Sequence, residues 1–140
     1  MSSSTPSHAQ GVVTKNSPRS VEQTVDRLTQ IVAEKALTLF AVIDHSGAAA
    51  KVGLDMPNTK LVVFGSPVAG TPLMVADPLV ALDLPLKLLV FTEADGTVSV
   101  AYNTTEYLAS RYQLSADDAT RLAAIEPISD AAVAEHSLVR

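Results

Sequence analysis

The stretch LTLFAVI, residues 37–43, is a continuous run of branched and aromatic side chains that ends at Asp44 and His45. Seven residues of this kind, closed by polar residues, indicate a β-strand. The run lacks the alternation of apolar and polar residues that a strand with one solvated face shows. It therefore predicts a strand in a sheet that is covered on at least part of both faces.

The elements on either side of this run follow from capping residues and apolar spacing. Ser20 and Gln23 form a capping box in front of a helix over 21–36, in which apolar residues recur at helical spacing. The Asp95-Gly96 pair between two apolar runs is a strong signal for a tight hairpin. The further elements expected are strands at 12–14, 60–64, 87–93 and 97–102 and helices at 46–54, 72–76, 105–112 and 116–126, the last stopped by Pro127.

This order, β-α-β-α-β-α-β-β-α-α, predicts a two-layer α+β domain with helices mainly on one face. Crossover helices between the early strands indicate that those strands are parallel, and the hairpin adds an antiparallel pair, so a mixed sheet is expected. A chain of 140 residues fits one domain. We expect a disordered tail at 1–10, the domain at 11–126 and a partly helical tail at 127–140.

Composition excludes several classes of chemistry. The chain has no cysteine, and its 10 Lys and Arg against 15 Asp and Glu give a net charge of -5. A disulfide scaffold, a thiolate metal site and a cysteine nucleophile are excluded, and an acidic chain is a poor partner for nucleic acid. No apolar stretch reaches the roughly 20 residues of a membrane-spanning helix. We expect a cytoplasmic protein whose 47% apolar residues include surface hidden in a homodimer.

Polar residues interrupt the apolar surroundings mainly where strands end, and Asp44-His45 is the first such group. Histidine is the side chain suited to proton transfer near neutral pH, so His45 is a candidate general base with Asp44 beside it. Neighbours on an extended chain point to opposite faces, so the alternative is that Asp44 is a helix N-cap and His45 a structural or interface residue. His8 and His136 lie near the termini, so we expect neither a metal site nor a cofactor.

The second group is the loop GSPVAGTP at 65–72, which leads from a strand into a helix. Backbone N–H groups and the positive end of a helix dipole suit an anion, so Gly65, Ser66, Gly70 and Thr71 are candidate ligand-binding residues. No lysine follows Gly70, and the loop does not fit a nucleotide-binding pattern. Turn geometry alone is the alternative explanation.

The third group joins Asp83 and Lys87 to Tyr102 and Asn103 at the end of the hairpin. The Asp83 carboxylate lies among leucines and therefore needs a charged or hydrogen-bonding partner. With Lys87 it forms either a catalytic pair with perturbed pKa values or a structural ion pair. Tyr102 and Asn103 are further candidate ligand-binding residues. If the early strands are parallel, the groups at 44–45 and 65–71 share one edge of the sheet and line one pocket.

The order of these motifs resembles the bacterial and archaeal family known as domain of unknown function DUF302. The resemblance is carried by TLFAVIDH at 38–45, FGSP at 64–67, GTPLM at 70–74, ALDLPLK at 81–87 and YN at 102–103. It covers roughly 21–114. It implies a small α+β domain that forms dimers and has no established activity.

Three functions compete at this point. The leading one is a homodimeric domain that binds a small molecule or anion without catalysis. The alternative is a small hydrolase or isomerase in which His45 is the general base and Asp44 or Asp83 orients it. Lys87 or the N–H groups of Gly70 and Thr71 would stabilise developing negative charge. The third is a structural or protein-interaction module.

Overall fold

One antiparallel sheet organises the fold in the computed structural model, which describes residues 9–135. The expectations for residues 1–8 and for those after 135, His8 and His136 included, lie outside the described residues. The α+β class is confirmed, but the mixed sheet is wrong because every neighbouring pair of strands is antiparallel. The strands are β1 (Val12–Ser17), β2 (Thr38–Asp44), β3 (Thr59–Gly65), β4 (Leu86–Thr92) and β5 (Val98–Asn103), in the order β1-β5-β4-β3-β2.

The connection between β2 and β3 explains why the early strands are not parallel. It contains one short helix, α2 (His45–Lys51). Seven residues of helix span about 10 Å, whereas a seven-residue strand spans about 23 Å. Because α2 is too short to carry the chain back along the sheet, the chain turns at the end of β2 and returns beside it as β3.

The core lies between the sheet and two helices that pack against each other, α1 (Val21–Glu34) and α6 (Ile125–Ala132). Leu28 of α1 and Ile128 of α6 are completely buried against Phe64 and Leu88 of the sheet. Side chains on the opposite face of the central strands, such as Leu89, stay partly exposed.

The strand that gave the first sequence signal, β2, lies at an edge of the sheet. Its side chains Leu39, Phe40, Val42 and Ile43 are 44%, 50%, 40% and 42% exposed. A strand covered on at least part of both faces was expected, and within the single chain about half of each of these side chains is exposed. The continuous apolar pattern of β2 is the pattern of a buried strand, but α1, which packs against it, covers it only in part.

Two prolines sit inside helices that they were expected to delimit. α3 (Pro67–Ala76) begins at Pro67, with Ser66 as its N-cap, instead of at Pro72. Pro127 lies in the first turn of α6. Backbone N–H groups of the first turn have no hydrogen-bond acceptor within the helix, so a proline at this position removes no helical hydrogen bond. The boundary expected after residue 126 thus falls inside a packed helix.

The remaining elements frame the end of the sheet at which β3 finishes. Thr104 caps α4 (Thr105–Tyr112), which has the bounds expected from the sequence. A 3-10 helix (Pro78–Leu82) follows α3, and α5 (Ala116–Thr120) follows α4. No helix among the described residues is long and apolar enough to cross a membrane.

Candidate functional site

A cavity of about 260 Å³ lies at the sheet end where β3 stops and β4 starts. The four loop residues selected from the sequence all line it, which brings one of the three predicted groups to a concave surface. The remaining lining residues are Phe40, Pro67, Met74, Leu84, Pro85, Leu86, Arg121 and Leu122. The wall is therefore mostly apolar, with a few polar groups.

The polar groups of this cavity are two hydroxyls and one guanidinium. Ser66 Oγ accepts the backbone N–H of Ala69 at 3.1 Å, as an N-cap does. Arg121 Nη1 donates to the carbonyl of Ala69 at 3.4 Å, and its Nε lies 3.8 Å from Asp118 Oδ1. These contacts of Arg121 are long, and its side chain is 40% exposed, so its guanidinium can turn towards an anion.

The backbone amides of the 65–72 segment are less available than the sequence suggested. The segment is helical from Pro67, which has no N–H, and the N–H of Gly70 donates to the carbonyl of Ser66 at 2.8 Å. A loop of free N–H groups is thus replaced by a capped helix. Charge recognition in this cavity rests on Arg121 more than on the backbone.

Gly70 keeps this cavity open. A Cβ at Gly70 would lie 3.5 Å from Leu84 Cδ1 and 3.9 Å from Met74 Cε, both ordinary contact distances. A larger side chain at this position would project into the space between α3 and Leu84. The glycine therefore contributes volume to the cavity.

A second, smaller cavity of about 80 Å³ lies beside the first and shares Leu86 with it. Asp83, Lys87 and Asn103 line it, so this part of the third predicted group is brought together. The expected ion pair between Asp83 and Lys87 is wrong, since Lys87 Nζ donates to the carbonyl of Pro85 at 2.9 Å. Burial lowers the pKa of Lys87, and the charge of Asp83 opposes this change.

Asp83 is held by residues of α4 instead. Its Oδ2 accepts the hydroxyl of Tyr112 and lies 3.4 Å from Arg111 Nη1. The hydrogen bond to Asp83 raises the pKa of Tyr112, because the phenol proton is shared with a carboxylate. The Asp83 carboxylate therefore links the segment that follows the 3-10 helix to α4.

Asp44 and His45 lie at the opposite end of the sheet. Asp44 faces Lys60 across the strand pair, while Thr38, at the other end of β2, faces Gly65. Six residues of strand separate the two ends by about 20 Å. The expected common pocket for the 44–45 and 65–71 groups is therefore wrong within one chain, and its cause is the antiparallel direction of β2 and β3.

Locally, Asp44 is the N-cap of α2. Its Oδ1 accepts the N–H of Gly47 and the hydroxyl of Ser46, each at 2.9 Å. The bond from Gly47, followed by that from Ser46, lowers the pKa of the Asp44 carboxyl. His45 is the first residue of α2 and is exposed.

Tyr102 and Asn103 point to opposite sides of β5, as neighbours on a strand do. Tyr102 is 4% exposed beneath α6, and its hydroxyl donates to Glu126 Oε1 at 2.6 Å. Lys15 Nζ lies 4.9 Å from its ring centroid. Tyr102 thus belongs to the helix-covered core, whereas Asn103 lines the smaller cavity.

Phe40, Met74 and Arg121 line the larger cavity but were not selected from the sequence. Phe40 and Met74 look like ordinary core residues in an apolar run. Arg121 is an isolated cation in a helical region, distant in sequence from the loop it joins. Within residues 9–135, no three His, Asp or Glu side chains are grouped so that they could hold a metal ion.

Comparisons with known proteins identify relatives of this chain. The family model "Domain of unknown function DUF302" matches residues 13–132. The "Fluoride-specific ion channel FluC 1" of Brucella suis biovar 1 (strain 1330) is 35% identical over 104 residues, 74% of this chain and 41% of that protein. The "Fluoride-specific ion channel FluC 2" of Brucella melitensis biotype 1 is 35% identical over 104 residues, 74% of this chain and 38% of that protein. This chain thus spans about two fifths of the length of these curated relatives.

A solved structure shares the fold. The crystal structure of an uncharacterized conserved DUF302 protein from Bacillus stearothermophilus superposes with a TM-score of 0.73 at 19% sequence identity. The match covers 89% of this chain and 97% of that one. At this identity the likeness shows the arrangement of elements only.

Proposed function

The chain belongs to the DUF302 family, whose function is unknown, and we propose that it is a homodimeric domain that binds a small ligand with an apolar body and an anionic group. The resemblance inferred from the sequence motifs is confirmed at the level of the family. The observation that carries the proposal is the mostly apolar cavity with Arg121 as the single cation in its lining. An apolar pocket with a few well-placed polar groups is the usual form of a small-molecule site.

The size and lining of the cavity limit the ligand class. Ligand pockets commonly measure about 300–1,000 Å³, so a cavity of about 260 Å³ suits a compact ligand. Phe40, Met74 and Leu84 offer contacts to a short aliphatic or aromatic body. A guanidinium matches a carboxylate or phosphate with two parallel hydrogen bonds, which makes Arg121 the partner of the anionic group.

Exposed apolar surface supports the dimeric part of the proposal. Four apolar side chains of β2 are 40–50% exposed, and no strand formed by residues 9–135 lies beside its outer edge. Contiguous apolar surface of this kind marks an interaction site in soluble proteins. A second copy of the chain is the partner that is always present at the same concentration.

Hexanoate tests the ligand class, with 1-hexanol as the matched uncharged control. At ten times its dissociation constant, a ligand that binds only the folded state adds about 1.4 kcal/mol to stability. For a domain of this size we expect hexanoate to raise the Tm by about 3–8 °C. Hexanol is expected to raise it less, and Arg121→Gln is expected to remove the difference between the two ligands. Equal Tm values with and without saturating hexanoate would contradict the proposal.

Fluoride belongs in the same assay, because the Brucella relatives are named as fluoride channels. We expect sodium fluoride to match sodium chloride in its effect on the Tm. A small, strongly hydrated ion loses hydration in an apolar cavity without gaining contacts. If sodium fluoride raised the Tm and hexanoate did not, the proposed ligand class would be wrong.

Sedimentation velocity tests the dimer. We expect a species of twice the 14.7 kDa chain mass at protein concentrations near 100 µM. A change to the chain mass on dilution is the expected sign of reversible association. A single species of chain mass at every concentration would show that the exposed surface of β2 has another use.

A further inference from the structure

The two edges of the sheet differ in how they are protected. β1 carries Lys15, which is bound to Ser129 and Asp130 of α6 at 2.7 Å, and the exposed polar residues Thr14 and Asn16. β2 has no charged side chain between Thr38 and Ile43. Proteins discourage edge pairing with lysines, charges and short strands. Of these devices β2 has only one, a bulge at Phe40.

The side chains of β2 are only partly covered on the face that the helices protect. Leu39 and Val42 pair with Phe64 and Val62, which are completely buried on that face, yet they are 44% and 40% exposed. The helical layer, which reaches β2 through α1, therefore leaves this edge partly open. A surface that continues a buried core to an unpaired edge fits a second sheet edge with its own helical layer.

We propose that β2 pairs antiparallel with β2 of a second copy about Val42, and that this pairing carries the partner subunit's His45 to the apolar cavity. The inference rests on the proposed function, because it uses both the dimer and the ligand cavity. It adds the interface, its register and a group that the single chain does not place at the site.

The register follows from symmetry and from the bulge. In a two-fold antiparallel pair, one residue lies opposite its own copy. The bulge at Phe40 leaves Ala41–Asp44 as the regular part of the strand, and pairing about Val42 places Ala41–Ile43 of the two copies opposite each other within that part. Ala41 then lies opposite the partner subunit's Ile43, and no like charges face each other.

The same register places the C-terminal end of one β2 beside the N-terminal end of the other. Phe40, which lines the cavity and forms the bulge, comes opposite the partner subunit's Asp44 where the regular pairing ends. The partner subunit's His45 follows directly at the start of its helix. Within its own subunit His45 is about 20 Å from this end of the sheet. The imidazole there supplies a second hydrogen-bonding group for the anionic end of a ligand.

Cysteine cross-linking tests the register, because the chain has no cysteine of its own. We expect Val42→Cys to form a disulfide-linked dimer on mild oxidation. Ala41→Cys and Ile43→Cys are expected not to, since their own copies lie about 8 Å apart, beyond the reach of a disulfide. Thr14→Cys on the opposite edge is the matched control and is expected to stay monomeric on a denaturing gel.

A mixture of two variants tests the approach to the cavity without any ligand. Phe40→Cys and Asp44→Cys are each expected to remain uncross-linked alone and to form a mixed disulfide when combined. Cross-linking through Thr14, or at none of these positions in a protein that sediments as a dimer, would overturn the inference and leave the proposed function standing.

Histidine signals in NMR spectra report the shared site. We expect hexanoate to shift the ring signals of His45, assigned with His45→Gln, in parallel with saturation of the cavity.

Val42→Lys places two ammonium groups at the two-fold axis and is expected to abolish both the dimer and this shift. Ile43→Lys is a second variant should the first unfold. An unchanged His45 signal in a dimer saturated with hexanoate would overturn the shared site. Absence of hexanoate binding would instead count against the proposed ligand, while the cross-links still decide the interface.

Discussion

Replacing Phe64 with alanine is expected to lower the free energy of unfolding by about 3–5 kcal/mol, the range for removing a large aromatic side chain from a core. Phe64 lies in β3, is completely buried and belongs to the cluster between the sheet and the helices. Its loss removes apolar area from burial and leaves a cavity that the strand cannot close. Urea denaturation followed by far-UV circular dichroism measures the change as a shift in midpoint.

Val68→Ala is the matched control for that measurement. Val68 is also apolar and only four residues away, but it is 84% exposed on α3. Its replacement is expected to change stability by less than about 0.5 kcal/mol. If both variants lose a similar amount of stability, the core does not lie where the structure places it.

Replacing Gly11 with alanine is expected to cost about 2–4 kcal/mol, from a left-handed backbone and a steric clash together. The φ angle of Gly11 is +78°, and a Cβ there would lie 2.3–2.5 Å from the Cγ, Cδ1 and Cβ atoms of Tyr107. Its carbonyl accepts the N–H of Thr104 at 2.9 Å, so the segment cannot move away without losing the tie between β1 and α4. Thermal unfolding by circular dichroism gives the shift in Tm.

Gly53→Ala separates the two contributions to that cost. Gly53 has nearly the same φ angle, +79°, but no atom lies within 4 Å of the Cβ position. We expect Gly53→Ala to lower the free energy of unfolding by about 1–2 kcal/mol, which is the cost of the left-handed backbone alone. In the background Tyr107→Gly, which also removes the Cβ atom that would lie 2.5 Å away, Gly11→Ala should lose little more than Gly53→Ala does, and a full loss there would contradict the proposed clash.

Features coded by local sequence were predictable. Ser20 caps α1 as expected, α4 has the expected bounds, and the Asp95-Gly96 turn joins β4 to β5 as expected. Each of these signals depends on hydrogen bonds or dihedral angles within a few residues. The direction of β2 depends instead on the whole length of the connection to β3, which local patterns do not contain.

The exposure of β2 was not predictable for a different reason. Residues 37–43 have the composition of a buried strand, and burial by another subunit requires the same composition as burial within the chain. The Pro67–Thr71 segment was found because glycine, serine and proline interrupt an apolar region. Phe40 and Arg121 were missed because only the antiparallel fold brings their distant segments to the same cavity.

The position of β1 has a consequence for how the protein is made. Val13 pairs with Tyr102, so the first strand to leave the ribosome finds its place only after the last strand has been synthesised. β3, β4 and β5 are neighbours in both sequence and space and can assemble earlier. Pairings across long sequence separations slow folding. The helix α6, which packs against α1, is also the last described helix to be synthesised, so during translation α1 lacks that part of its cover after β2, β3 and β4 have formed.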